Sequence, residues 1–316
     1  MSAVPHLTVA PAGPPTPAGP ATPAAPSASD SSPGRLPVTL PQIAEYKRLG
    51  EPIAMVTAYD YPSAQVAEAA GVDIVLVGDS GAMTVLGYST TVPVSVEEML
   101  VLAAAVRRGC STPFIVADLP FGSYEASDEL AVATAQRFVK QAGADAVKLE
   151  GGGAMVARAR AIVAAGIPVM GHVGLTPQTA TALGGYKAQG RTATRALAVA
   201  RDAIELQGAG CFAIVFEAVP AAVCETLMEH MEIPVIGIGA GPATDGQVLV
   251  FHDLLGIYDG LSPRFAKRYA ELKGEMVGAV SEYVAEVRGH AFPAPEHTYS
   301  IDPGELAEFR ARLAGV

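Results

Sequence analysis

At 316 residues, half of them hydrophobic, the chain has material for one large core, and an α/β barrel of this length is ordinary. A formal net charge of −11 argues against a nucleic-acid surface, which needs a basic footprint, and no apolar run is long enough to span a bilayer. Three cysteines, Cys110, Cys211 and Cys224, lack CxxC spacing and lie in or beside apolar stretches, which fits buried, reduced thiols in a cytoplasmic protein rather than a disulfide framework or a zinc site.

Residues 1–36 are rich in Pro, Ala, Ser and Thr and show no periodicity. Such a segment cannot bury enough apolar area to offset its ordering entropy, so a disordered tail is expected there. From Leu40 the pattern is regular: Pro41 to Gly50 reads as a short helix and Ile53 to Ala58 as a first strand. A unit then repeats, made of an Ala-rich amphipathic helix, a glycine, and a short strand ending in a polar residue. The junctions are AAGVDIVLVGDS, QAGADAVKLEGG, AAGIPVMGHVG and QGAGCFAIVFEAV, with Gly71, Gly143, Gly166 and Gly210 suited to the left-handed position just past a helix end. Helices are predicted over Val96–Arg108, Ser127–Gln141, Gly152–Ala165 and Thr194–Gln207, and strands start near 53, 73, 113, 145, 167, 211, 234 and 247. Strand–helix alternation of this kind implies a parallel sheet with right-handed crossovers. A closed (βα)8 TIM barrel over residues 37–300 is the natural solution; a doubly wound open sheet is the fallback, although the first strand ends TAYDYP rather than in G-x-G-x-x-G. Pro263 to Arg288 reads as a long amphipathic helix that seals a barrel or joins subunits, and residues 301–316 as a C-terminal helical extension.

The polar residues at the strand ends carry the chemistry. In GADAVKLEGGG, alternation puts Val147 and Leu149 on one face and Lys148 and Glu150 on the other. Asp79, Asp118, Lys148 with Glu150, His172 and Glu217 follow five successive strands, at the end of a barrel where active sites sit. Each alone would pass for a cap or a surface charge. Together, converging carboxylates repel one another unless something positive lies between them. Lys148 supplies one charge, and a divalent cation on Asp79, Asp118 and Glu150 would supply the rest. Oxygen-only ligands favour Mg²⁺ over zinc or copper. A 2-oxo acid would chelate such an ion through its keto and carboxylate oxygens, and Lys148 would share the charge of an enolate. A Schiff-base role for Lys148 is the alternative. Glu217, among apolar neighbours and outside the acidic group, is the candidate proton acceptor, with His172 the other candidate. GIGAGP could cradle a phosphate or admit a flat ligand against bare backbone, and LTPQTATALGGYKAQGR reads as a lid whose Lys187 and Arg191 meet an anionic cofactor tail or solvent.

At this point the chain resembles a known family. VTAYDYPSA, LVGDS, TTVPVSVEEM, VADLPFGSY, AVKLEGG, GHVGLTPQ, GGYKAQGR, the glutamate of VFEAVP and GIGAGPATDGQVLVFHD, in order from about residue 38 to EHTY at 296–299, resemble the ketopantoate hydroxymethyltransferases. The resemblance implies a (βα)8 barrel in a homodecamer, Mg²⁺, and 5,10-methylenetetrahydrofolate as one-carbon donor. It implies Asp79, Asp118 and Glu150 as metal ligands, Asp79, Ser80, Asp118 and Lys148 as contacts of the 2-oxo acid, and Glu217 as proton acceptor. Gly81-Ala82-Met83 and Gly153 depart from the family pattern without touching a matched ligand. Two rivals remain: a Mg²⁺-dependent lyase or mutase of the phosphoenolpyruvate mutase and isocitrate lyase type, and a non-catalytic metabolite-binding barrel. The first usually needs a reactive cysteine at the mouth, and none of the three falls at a strand end.

Overall fold

Eight short parallel strands carry the fold in this computed structural model, which describes residues 35–258, 260 and 263–316. The disorder expected for residues 1–36 concerns, apart from its last two residues, positions outside the described ones. The strands are β1 (Ile53–Thr57), β2 (Ile74–Val77), β3 (Phe114–Asp118), β4 (Ala146–Lys148), β5 (Val169–Gly174), β6 (Ala213–Glu217), β7 (Val235–Ile238) and β8 (Gly246–Leu249). Each pairs in parallel with the next, and β8 pairs with β1, so the sheet closes into a barrel. The open-sheet alternative is thereby excluded.

Period-two alternation sorts the strand residues into two apolar clusters. Ile53, Met55, Ile74, Leu76, Val116, Ala146, Met170, Ala213, Val215 and Ile236 fill the lumen. Val56, Val75, Val77, Ile115, Val147, Leu149, Val169, Ile214 and Phe216 pack outward against the helices. The N-terminal end is closed by the helix Leu40–Leu49, whose Ile43 is buried in the lumen cluster and whose Lys47 Nζ meets Asp245 at 2.8 Å. At the opposite end the inward positions turn polar. The register sets Asp118 beside Lys148 and Gly174 beside Glu217.

The helices start where side chains satisfy free N–H groups. Asp60 and Ser95 form capping boxes with Ser63 and Glu98, and Ser127 and Thr192 accept from Leu130 and Arg195. Gly71, Gly143, Gly166 and Gly210 all have positive φ, as their places after helices predicted. Three boundaries differ from the sequence reading. The segment expected as one helix from Ser127 is α-helical over Asp128–Arg137 and then widens into a π-turn over Phe138–Ala142. The helix expected from Gly152 begins at Ala154, after Gly153 at φ +57°. The long helix expected from Pro263 begins only at Leu272, because Tyr269 and Lys273 donate their N–H groups to Leu254 and Gly256 instead of continuing a helical ladder. That helix, Leu272–Arg288, buries none of its residues, so it does not seal the barrel of its own chain.

Leu149 tests the outward face: it is fully buried between charged neighbours, with its side chain among the shell helices. Leu149→Ala should destabilise the fold by about 2–5 kcal/mol in urea denaturation. A loss under about 0.5 kcal/mol would show that the shell does not depend on this strand.

Candidate active site

The polar end of the lumen begins with Lys148. Its ammonium is 3 % exposed and lies 3.0 Å from Asp118 Oδ1 and 3.9 Å from Glu150 Oε1. Burial would discharge it, but the charges of Asp118, Glu150 and Asp79 outweigh that and hold its pKa above the ordinary lysine value. A permanently protonated amine is a poor Schiff-base nucleophile, so the charge-stabilising role is the one the geometry supports.

Asp79, one residue past the glycine that follows β2, donates its N–H to Asp118 Oδ2 at 3.0 Å. Both side chains are buried. Burial, then the Asp118 and Glu150 charges, push the Asp79 carboxyl up to about 8; burial also raises Asp118, against the pull of Lys148. Glu150 behaves oppositely. Burial raises it, but His172, Lys148 and the Gln178 N–H together hold it below the usual glutamate value. His172 spans two carboxylates, with Nδ1 3.3 Å from Glu150 Oε1 and Nε2 3.2 Å from Glu217 Oε2. Burial and the Lys148 charge oppose its protonation, yet the two carboxylates win and lift it to about 9. Lys148 Nζ also lies within hydrogen-bond distance of Nδ1, at 3.2 Å, and Nε2 has no aligned hydrogen bond.

Ser80 opens a short helical turn, Gly81–Thr84, that the sequence reading passed over, and shares a 2.8 Å hydrogen bond with the buried Tyr59 hydroxyl. All of Asp79, Ser80, Asp118, Lys148, Glu150, His172 and Glu217 therefore belong to this one end of the barrel. Two uncharged residues complete the site and carried no ionisable signal in the sequence. Gln178, in the turn after β5, donates from Nε2 to Asp79 Oδ2 (3.0 Å) and Leu119 O (2.9 Å) and from its backbone N–H to Glu150 Oε2 (3.0 Å). Tyr124 donates its hydroxyl to Gln178 Oε1 at 2.6 Å.

The predicted lid, residues 175–191, is tied to β6 at both ends: Leu175 donates to Glu217 O (2.8 Å) and Gln189 to Ala218 O (2.9 Å). Gly174 allows this close approach, since a Cβ there would lie 2.2 Å from Glu217 O. Tyr186 of the lid is exposed, its phenol raised by partial burial and then by the charges of Asp79, Glu150 and Glu217. Lys187 and Arg191 are exposed. In GIGAGP the bare backbone at Gly239 is met by the Phe265 ring, where a Cβ would come within 2.5 Å; the chain itself supplies the flat group.

Four carboxylates at this end face one ammonium and one imidazolium, leaving two negative charges uncompensated when all are ionised. Asp118 Oδ1 is buried without an aligned hydrogen bond, despite the nearby Lys148 charge. An oxygen-rich donor set, an orphaned carboxylate oxygen and a residual double negative charge fit a hard divalent cation. Asp79 and Asp118 are the carboxylates that would hold it. Among the described residues no three acidic, histidine or cysteine side chains already form a metal-holding group; Glu150 is turned toward His172 and Gln178 and would join through a shift or a bridging water.

The same shifts set a pH dependence. Asp79 (ordinary value 3.8, raised to about 8) and His172 (6.5, raised to about 9) both hold protons in the folded protein that the unfolded chain releases. Their stabilising contribution is complete below the unfolded values and is lost as pH rises through the folded ones. Between pH 6.5 and 8 both act in the same direction. In the presence of a chelator, stability to urea should fall across this window, by up to about 1.4 kcal/mol per pH unit for each proton held. His172→Gln should flatten the slope, and a rising wild-type profile would contradict the assignment.

The family described as ketopantoate hydroxymethyltransferase matches residues 37–295. The chain is 54 % identical over 262 residues to a 3-methyl-2-oxobutanoate hydroxymethyltransferase of Moorella thermoacetica, covering 83 % of this chain and 97 % of that one. It is 50 % identical over 284 residues to the mitochondrial 3-methyl-2-oxobutanoate hydroxymethyltransferase 1 of Arabidopsis thaliana, covering 87 % and 82 %. Among solved structures, 2,3-dimethylmalate lyase, of the PEP mutase/isocitrate lyase superfamily, aligns with a TM-score of 0.54 at 15 % identity, covering 85 % of this chain and 93 % of that one. Phosphonopyruvate hydrolase complexed with oxalate and Mg²⁺ aligns at 0.53 and 14 %, covering 88 % and 97 %. Those two show the fold alone; by the family match and the sequence relatives, the chain belongs to the ketopantoate hydroxymethyltransferase family.

Proposed function

We propose that this end of the barrel transfers a hydroxymethyl group from 5,10-methylenetetrahydrofolate to 3-methyl-2-oxobutanoate, forming 2-dehydropantoate in pantothenate biosynthesis. The observation that carries the reading is the continuous chain of contacts Asp118–Lys148–Glu150–His172–Glu217, buried up to its last member. It supports a fixed positive charge and a candidate base in one site.

Asp79 and Asp118, with Glu150 brought in, would hold Mg²⁺, which when bound acts as a Lewis acid on the keto group of the substrate. Asp79, Ser80, Asp118 and Lys148 would orient the 2-oxo acid, and Lys148 takes part of the negative charge as C3 loses its proton. His172 lies between Glu150 and Glu217, whose charges raise its pKa and disfavour it as the acceptor. That leaves Glu217, the most accessible carboxylate of the chain, with its side chain 15 % exposed. As C3 bonds to the methylene carbon, the first of its two carbon–nitrogen bonds to the folate opens and that nitrogen gains the proton taken from C3; water then displaces the second nitrogen, leaving its oxygen as the hydroxyl and its other proton on the folate. The lid, fixed beside Glu217 at both ends, is placed to exclude other water from the enolate. The homodecamer belongs to the same proposal. Its support is an apolar face on the helix Leu272–Arg288, where Met276, Val277, Val280 and Tyr283 are exposed.

The lyase rival loses support from the thiols. Burial first of all pushes Cys110, Cys211 and Cys224 up to about 11, 12 and 11, far from a reactive thiolate. The decisive experiment follows C3 proton exchange of 3-methyl-2-oxobutanoate in deuterated water by NMR. Exchange should require Mg²⁺, persist without folate, stop in EDTA, and fall about 10²–10⁴-fold in Glu217→Gln. Full exchange in that variant removes Glu217 from the role, and turnover of 2-methylisocitrate or phosphonopyruvate would favour the lyase.

A further inference from the structure

Gln178 joins two parts of the molecule that the proposed reaction treats separately. It is 4 % exposed and sits three residues into the lid. Its Nε2 group reaches Asp79 and the Leu119 carbonyl, its Oε1 takes the Tyr124 hydroxyl, and its backbone N–H holds Glu150 Oε2. The amide orientation follows from the partners, because the Leu119 carbonyl can only accept. One residue of the lid thus fixes a carboxylate on each side of Asp118.

The choice of an uncharged side chain has a physical consequence. A lysine at this place would also donate to Asp79, but it would neutralise the acidic group and compete with a cation. An amide holds the carboxylate while leaving its charge available. Tyr124 reinforces the arrangement, since Glu150 N–H donates back to the same hydroxyl at 3.2 Å. The lid therefore cannot shift at its root without pulling on both Asp79 and Glu150.

We infer that Gln178 is a positioning residue whose side chain sets the Asp79 carboxylate for a divalent cation and whose backbone N–H holds Glu150 beside it, coupling cation binding to the order of lid residues 180–190. The inference rests on the metal reading proposed above. Manganese(II) alone, titrated into the full-length protein and followed by electron paramagnetic resonance, tests it without turnover. Gln178→Ala should bind Mn²⁺ about 10–100-fold more weakly than wild type. Tyr124→Phe, which removes only the hydroxyl that holds the amide, should shift affinity in the same direction by less. In wild type Mn²⁺ should slow amide hydrogen exchange over 180–190, and in Gln178→Ala that protection should vanish. A merely structural glutamine would lower the metal-free melting temperature and leave Mn²⁺ affinity and the metal-dependent protection unchanged, which would overturn the inference. If Gln178→Ala does not fold, unaltered Mn²⁺ affinity in Tyr124→Phe does the same. Failure of the wild type itself to bind Mn²⁺ would sink the metal reading and this inference with it.

Discussion

An ammonium group enclosed by a barrel is held in place only by what surrounds it. Lys148 projects into the lumen above apolar layers that exclude water from below. Bringing such a charge out of water costs several kcal/mol, recovered only when opposite charges are fixed close by. The β3–β4 register provides the first of these by setting Asp118 opposite Lys148, and alternation along β4 points Glu150 the same way. Asp79 is then drawn in through its N–H to Asp118, and His172 through Glu150. The catalytic end is thus a consequence of closing the barrel with a lysine on its inner face.

That network is deliberately unbalanced in sign. Lys148 and protonated His172 do not cancel four carboxylates, and the excess concentrates on Asp79, the group whose pKa rises to about 8. A proton on Asp79 relieves the excess in the absence of a cation, and a divalent ion would relieve it more completely while expelling that proton. On the metal reading, proton and cation would compete for one position, and metal binding at neutral pH should be linked to proton release.

Much of this was legible in the sequence because it follows from period and place. Glycine after helix, a short apolar run and a terminal ionisable residue mark the middle βα units, and with eight strand starts in alternation with helices few alternatives to a barrel are left. Lys148 and Glu150 declared themselves by standing on the polar side of a strand whose other residues are apolar. Gln178, Tyr124 and Tyr59 did not, since an uncharged residue in a turn looks the same whether it faces water or a buried carboxylate. The link between His172 and Glu217 was also hidden: they sit on adjacent strands, but contact depends on side-chain reach. The start of the helix at Leu272 rather than near Pro263 depends on backbone bonds to Leu254 and Gly256, which no local pattern encodes.

The placement of His172 also bears on how one site can bind an anion and remove a proton from it. A lone Glu217 at the lumen rim would repel an incoming carboxylate. Paired with an imidazolium 3.2 Å away, its charge is offset during binding. On the proposed reaction, uptake of the C3 proton by Glu217 would remove its negative charge and leave His172 with Glu150 as its carboxylate partner in this chain of contacts. Positive charge would then weigh more heavily on the Glu150 and Lys148 side, where the negative charge of an enolate would develop. Proton transfer and the electrostatic response to it would thus be coupled through one ring.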